Sequence, residues 1–417
     1  MPEGARWLVA AEAIVHELTR TAHRFGGEAT WMGTTQDEDL FSDELKFTYA
    51  SLGPSLYGGT SGVALFLAEA AVLLNDSAAR GLATESMRHA LARAAHMPLD
   101  DRLGFYTGAV GVAWAAARAG RVLGDESLLV AARALLRPLP IERAAAPLDV
   151  IDGAAGTAPA LLVLAEWCDA PFAREDALRL GERLLACATV RPDGTLSWGD
   201  PEAPDDSSPH LTGFAHGAAG IAWALLRLAE ATGDLRYSDT ALRAFAYENS
   251  LFRQAVGNWP DLRGVERVDD DAPCGTGWCH GGPGIGLARA RALALRLHRA
   301  DGPDVRRDTI TALSVVQRAL SAHDTDPLAD ASLCHGTLGL VATACTLGDA
   351  LGDSRAGCSA LRSAERAADR WTDEPWRWPV GVVRGENPSL MLGLAGIGHA
   401  YLRLADASLP SVLEPGG

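Results

Sequence analysis

The sequence predicts an all-α fold: an α/α toroid, in which seven repeats build a double ring of seven inner and seven outer helices. Three observations carry this expectation. A Gly-x-x-Gly pair leading into an apolar helical segment recurs seven times along the 417 residues. The segments after these pairs are apolar nearly all round, as buried helices are. The first and last units resemble the others, with no polar capping repeat, which favours a closed ring over an open solenoid.

In chain order, residues 1–50 read as an N-terminal helix and lead-in, and residues 51–417 as the ring domain. Trp7, Leu8, Ala11, Ile14, Val15 and Leu18 keep a helical rhythm among acidic residues, which marks an amphipathic helix and not a signal peptide. The glycine pairs are Gly59 and Gly62, Gly108 and Gly111, Gly153 and Gly156, Gly217 and Gly220, Gly281 and Gly284, Gly336 and Gly339, and Gly393 and Gly396. Their separations suit two helices with loops. Ile221 to Glu230 typifies an inner helix and stops at Gly233. Leu361 to Trp371, with Arg362, Glu365, Arg366 and Asp369, reads as an outer amphipathic helix. Convincing alternating strand patterns are nearly absent. Arg191–Leu211 and Gly257–Gly277 are long, polar, proline-containing loops, a length usually tied to function or mobility.

Composition narrows the function classes. With 48% hydrophobic and 22% charged residues the chain is globular. A formal charge of −16 argues against a nucleic-acid partner, which needs a basic face. No stretch approaches the ~20 apolar residues of a membrane span. The longest, Gly62 to Leu74, is broken by Glu69. Seven scattered cysteines, an odd number, do not form a disulfide framework and point to a reducing cytoplasm.

If rotation relates the units, the residue before each first glycine lies at one end of the ring, near its axis. Those residues are Gly58, Thr107, Asp152, His216, His280, His335 and Leu392; one place earlier stand Tyr57, Tyr106, Ile151, Ala215, Cys279, Cys334 and Met391. Packing alone does not select Asp, three His and two Cys for equivalent places. They fall in consecutive units, so they share one side of the opening. Thiolate and neutral imidazole suit zinc, and three protein ligands with a fourth place open is the catalytic arrangement. Cys279, Cys334 and His335 read as such a set. Cys168, Cys187, Cys345 and Cys358 read as small buried hydrophobes. Cys274 is a free thiol or a fourth ligand.

On these residues the chain resembles the LanC-type lanthionine cyclases, and most closely the cyclase half of the bifunctional LanM lanthipeptide synthetases. The matching stretches are Leu56-Tyr57-Gly58-Gly59-Thr60-Ser61-Gly62, Phe214-Ala215-His216-Gly217-Ala218-Ala219-Gly220-Ile221, Trp278-Cys279-His280-Gly281, Cys334-His335-Gly336 and Leu409-Pro410-Ser411-Val412-Leu413. The resemblance spans roughly residues 50 to 417. It implies one Zn2+ held by Cys279, Cys334 and His335, a catalytic His216 and a catalytic Asp152. One departure stands out: some members carry an arginine four residues before the first zinc cysteine, where this chain has Gly275, so Arg263 or Arg267 would replace it or the chain manages without. The dehydratase half of LanM is missing, which implies a standalone cyclase or an excised domain. Its substrate would be a dehydrated precursor peptide, made by a separate dehydratase or kinase-type modification enzyme.

The implied reaction adds a peptide cysteine thiol to dehydroalanine or dehydrobutyrine, closing a thioether ring. A free thiol has a pKa of about 8.5 and is mostly protonated at neutral pH, and zinc makes it a thiolate. The resulting enolate needs a proton. His216 is the donor by register, with Asp152 one unit away to orient or charge it. His280 matches His335 in register but is not needed as a ligand, so it reads as a secondary proton donor or a structural residue. Two other readings compete. One is an α/α-toroid hydrolase or lyase using carboxylates such as Asp269-Asp270-Asp271; the other is a non-catalytic protein that binds modified peptides or thiols.

Overall fold

The structure is a computed structural model that describes residues 3–38, 45–201, 209–268, 271–297, 302–380 and 387–416. Asp269 and Asp270 of the acidic run lie outside the described residues. Seven helices form the inner ring: α2 (Thr60–Leu73), α4 (Ala109–Leu123), α6 (Ala154–Trp167), α8 (Ala218–Thr232), α10 (Gly282–Ala294), α12 (Thr337–Leu351) and α14 (Leu394–Ala405). Each packs on the next, and α14 packs back on α2, which closes the ring. Around it lie α3 (Ser77–Ala94), α5 (Glu126–Leu135), α7 (Pro171–Ala186), α9 (Leu235–Ser250), α11 (Val305–Thr325) and α13 (Ser354–Trp371), each against the inner helix before it. The seventh outer position is filled from the other end of the chain: α1 (Glu3–Thr21) packs on α14, burying Trp7, Ile14, Val15 and Leu18.

The two rings start their helices differently. Most outer helices open on an aspartate whose side chain accepts backbone N–H groups, as at Asp76, Asp125, Asp234, Asp304 and Asp353. Inner helices open on the first glycine of each pair, without a side-chain cap. The second glycine lets the preceding loop fold back onto the first turn. A β-carbon at Gly111 would sit 1.6 Å from the Phe105 carbonyl oxygen, and one at Gly284 would sit 2.0 Å from that of Trp278.

That fold-back brings the seven loops edge to edge at one end of the ring. Tyr57 N–H donates to Tyr106 O, Tyr106 to Ile151, Val150 to Ala215 and Ala215 to Cys279; Trp278 then donates to Cys334, Cys334 to Met391 and Met391 to Tyr57, all at 2.7–3.1 Å. A closed belt of backbone hydrogen bonds results. It sets every residue before a first glycine at the same end of the ring, as the repeat register requires.

Three details differ from the sequence reading. Residues 23–51 carry two antiparallel ribbons, β1 (His23–Phe25) with β2 (Glu28–Thr30), and β3 (Met32–Glu38) with β4 (Leu45–Ser51). A third, β5 (Thr189–Val190) with β6 (Leu196–Ser197), opens the first long loop. β1, β2, β5 and β6 are too short to carry an apolar period, whereas β4 alternates Leu45, Phe47 and Tyr49 with Lys46 and Thr48, a strand signal that the helical reading overlooks. Finally, Cys187 and Cys358 are exposed, not buried. Cys187 caps the C-terminus of α7 and Cys358 lies on α13, both in the outer layer, which packs on one side only.

Candidate metal centre

The belt carries Cys279 and Cys334 in adjacent loops tied by the Trp278 N–H to Cys334 O bond of 2.7 Å. One donor atom from each of Cys279, Cys334 and His335 lies within 4.8 Å of the others. Tetrahedral zinc with Zn–S of about 2.3 Å needs sulfurs roughly 3.8 Å apart, which this cluster accommodates. His335 Nε2 is 2.9 Å from Asp330 Oδ2, so the carboxylate orients the ring and leaves Nδ1 for the metal. Tyr57 donates its hydroxyl to Cys334 Sγ at 3.1 Å. Cys274 stands outside the cluster, its thiol pKa raised by burial.

The three donors are electrostatically coupled. Hydrogen bonding from Cys334 holds the Cys279 thiol well below its ordinary pKa, against the effect of burial. The same contact, with burial and the Cys279 charge, holds Cys334 well above. Two bare thiolates in contact repel; a metal ion between them removes that obstacle. Burial alone would lower His335, but the hydrogen bonds to Asp330 and Cys279 push it up to about 9.

Beside this cluster lies an acid–base group. His216 Nδ1 is 2.5 Å from Asp149 Oδ2, so the carboxylate takes the Nδ1 proton and Nε2 is left for chemistry. Burial would lower the His216 pKa, but the Asp149 hydrogen bond and charge, helped by Asp152, raise it above the ordinary value. The orienting carboxylate is therefore Asp149; of the two roles the sequence reading offered Asp152, orienting or charging His216, the second agrees with its place beside that pair. Asp152 accepts from the Thr107 hydroxyl, its backbone N–H donates to Asp149 Oδ1 at 2.9 Å, and burial and Asp149 raise its pKa. The turn before α6 places Asp152 at the ring position and Asp149 across towards the next loop. Glu248, fully buried on α9, clamps that loop by accepting the N–H groups of Gly213 and Ala219, and its other oxygen takes Arg289 at 2.8 Å.

His280 stacks on His216, with ring centroids 5.8 Å apart and 19° between planes. It is only 2% exposed, and neither ring nitrogen has a hydrogen-bond partner; its closest charged neighbour is Asp261, 3.5 Å from Nδ1. Burial lowers its pKa. Asp261 grips Arg263 through Nε at 3.1 Å and Nη2 at 2.8 Å. The field of Arg263 reaches both metal-site cysteines and both histidines. Arg263, not Arg267, thus brings a guanidinium to the site. Gly275 has no room for one, because a β-carbon there would lie 2.7 Å from the His280 carbonyl oxygen.

The sequence from residue 50 to 414 matches the family described as lanthionine synthetase C-like protein. The chain belongs to that family. Membership places it among the lanthionine cyclases. Its fold is similar to that of nisin cyclase: 19% identity, TM-score 0.61, covering 85% of this chain and 89% of that one. A family 76 glycoside hydrolase from a bovine Bacteroides thetaiotaomicron strain overlaps less well, at 10% identity and TM-score 0.47 over 97% of this chain and 78% of that one. The unsaturated glucuronyl hydrolase of Bacillus sp. GL1 gives 15% identity and TM-score 0.44 over 75% and 83%. No curated protein matches significantly. Among the described residues, no helix is long and apolar enough to cross a membrane.

Proposed function

We propose that this cyclase is zinc-dependent and closes lanthionine and methyllanthionine rings by adding cysteine thiols of a dehydrated precursor peptide to dehydroalanine or dehydrobutyrine. The observation that carries the reading is the pairing of a three-donor cluster, Cys279, Cys334 and His335, with a histidine held by a carboxylate, His216 on Asp149, on the same belt. Bound there, Zn2+ supplies the Lewis acidity that keeps a substrate thiol ionised at neutral pH.

The remaining work falls to side chains. Asp330 fixes the His335 ring, and the Tyr57 hydroxyl disperses charge on the Cys334 sulfur. His216, its pKa raised by the Asp149 hydrogen bond and charge, delivers a proton from Nε2 to the α-carbon after the thiolate has added at the β-carbon. Asp152 supports it by charge, through space. Arg263, anchored on Asp261, replaces the arginine that Gly275 excludes and stabilises the enolate oxygen. His280 forms the wall on which His216 stacks and stands as a secondary donor. The dehydrated peptide comes from a separate dehydratase or kinase-type enzyme. Seven unpaired cysteines support a reducing compartment, the cytoplasm.

The test is incubation with a dehydrated precursor peptide, followed by alkylation and mass-spectrometric counting of free thiols. The intact chain consumes thiols and sets their pairing. His216→Ala keeps its zinc and loses about 10²-fold or more in ring closure. Ring closure at the original rate and pattern in that variant refutes the assignment.

A further inference from the structure

The last residues of the chain lie inside the ring, and side chains from most of its wall converge on them. Arg403 on α14 donates Nε to Leu409 O at 3.0 Å, and Arg118 on α4 donates Nη2 to Pro410 O at 3.1 Å. Tyr106 donates its hydroxyl to Val412 O at 2.8 Å, and Trp278 its indole N–H to Leu413 O at 2.9 Å. Trp223 on α8 donates to the Glu414 carboxylate at 3.0 Å. Val412, Leu413, Pro415 and Gly416 are buried. Five donors from four units of the ring thus take five acceptors of one short segment of bends and turns, and four of those acceptors are main-chain carbonyls. Main-chain acceptors let a peptide be held with little dependence on its side chains.

Two of the five donors lead straight to the metal cluster. Trp278 precedes Cys279, and its backbone N–H holds Cys334 O. Its ring is packed by Tyr106 at 5.2 Å and Phe214 at 5.6 Å. Tyr106 in turn meets Tyr57, whose hydroxyl reaches Cys334 Sγ. The segment's seat is not fully filled: a cavity of about 240 Å3 lies between Ser411–Leu413 and helices α12 and α14, with Leu338, Val341 and His399 on its walls.

We propose that the segment 409–416 is a tethered peptide ligand of the ring and that, through Trp278 and Tyr106, it positions the cysteine loops for the metal. Seen this way, the ring holds a second peptide-binding groove, distinct from the opening that carries the candidate metal cluster and filled by residues 409–416 of the same chain. The proposal rests on the metal reading of Cys279, Cys334 and His335.

The experiment compares the full chain, a chain ending at Ser408 and a full-length Trp278→Phe variant. Zinc affinity is read by competition with a chromogenic chelator, the coordination sphere by the visible spectrum of the cobalt form, and folding by thermal melting. Loss of an outer support of this kind lowers metal affinity about tenfold, and that is expected for both variants. A synthetic peptide of residues 409–417 restores affinity and spectrum to the shortened chain but not to Trp278→Phe. Should the shortened chain fail to fold, Trp278→Phe, which removes the indole N–H and keeps a smaller aromatic ring, decides the question alone. A folded variant with unchanged affinity and spectrum overturns the inference. A full-length chain that takes up no zinc overturns the metal reading, and this inference with it.

Discussion

Replacing Asp149 by Asn separates the charge on the His216 partner from its shape. The amide oxygen can still accept the Nδ1 proton over the 2.5 Å contact, so the ring keeps its orientation and loses the carboxylate charge. A hydrogen bond to a charged group contributes roughly 1.5–3 kcal/mol and a neutral one roughly 0.5–1.5. The difference is trimmed by solvent, since the His216 side chain is 34% exposed, to about 1 kcal/mol, or roughly fivefold in the protonated fraction. Without the carboxylate, burial prevails and the His216 pKa falls. The variant therefore loses about fivefold in ring closure at alkaline pH, between about 7 and 9, and progressively less as the pH falls towards about 5, where the protonated fractions of parent and variant converge. The assay is the rate of free-thiol loss from a dehydrated precursor across that range, expressed as a ratio to the parent enzyme. A ratio that stays flat with pH refutes the proton-donor role of His216.

Further outcomes test the scaffold and the cluster. Cys334→Ala leaves two of the three donors and abolishes stoichiometric zinc, measurable by metal analysis after gel filtration; a full equivalent retained speaks against the ligand set. Glu69→Ala strands buried Arg118, which it pairs with directly, and also releases His399, held at 2.8 Å. Breaking such a pair costs about 3–5 kcal/mol, read by denaturant titration. Burial would raise the Glu69 pKa, but Arg118 and His399 lower it on balance. Its contribution is therefore present above the ordinary carboxylate pKa and is lost as pH falls through the lowered one. Gly111→Ala places a β-carbon on the Phe105 carbonyl and is expected to prevent accumulation of folded protein, seen as loss of soluble expression.

The ring and the placement of most candidate residues were legible because each unit repeats one short turn with one variable place before the glycine. That single register brought His216, His280, His335 and both cysteines to the same end, where the structure has them. Asp149 escaped because it acts from three residues before the register position. The available signal was its pairing with Asp152 in an Asp-x-x-Asp-Gly turn, where a side chain caps the backbone. Tyr57 stood in register with both cysteines, yet nothing in the sequence said its hydroxyl would reach one. Choosing Arg263 over Arg267 required the path of an aperiodic loop, and periodicity is silent there. The place of α1 as the seventh outer helix depends on ring closure, which no local pattern encodes.

The belt has a consequence for the order of events during synthesis. Its last joint links Met391 to Tyr57, and α14 cannot find its outer partner until it meets α1. Contacts so distant in sequence are slow to form and come late in folding. Until residues past 391 have left the ribosome, the loops that bear Cys279 and Cys334 belong to an open arc, with Cys334 lacking its neighbour on one side. The surroundings of Cys334, its backbone bond to Met391 and the Tyr57 hydroxyl on its sulfur, are thus completed only when the first and last units of the ring meet.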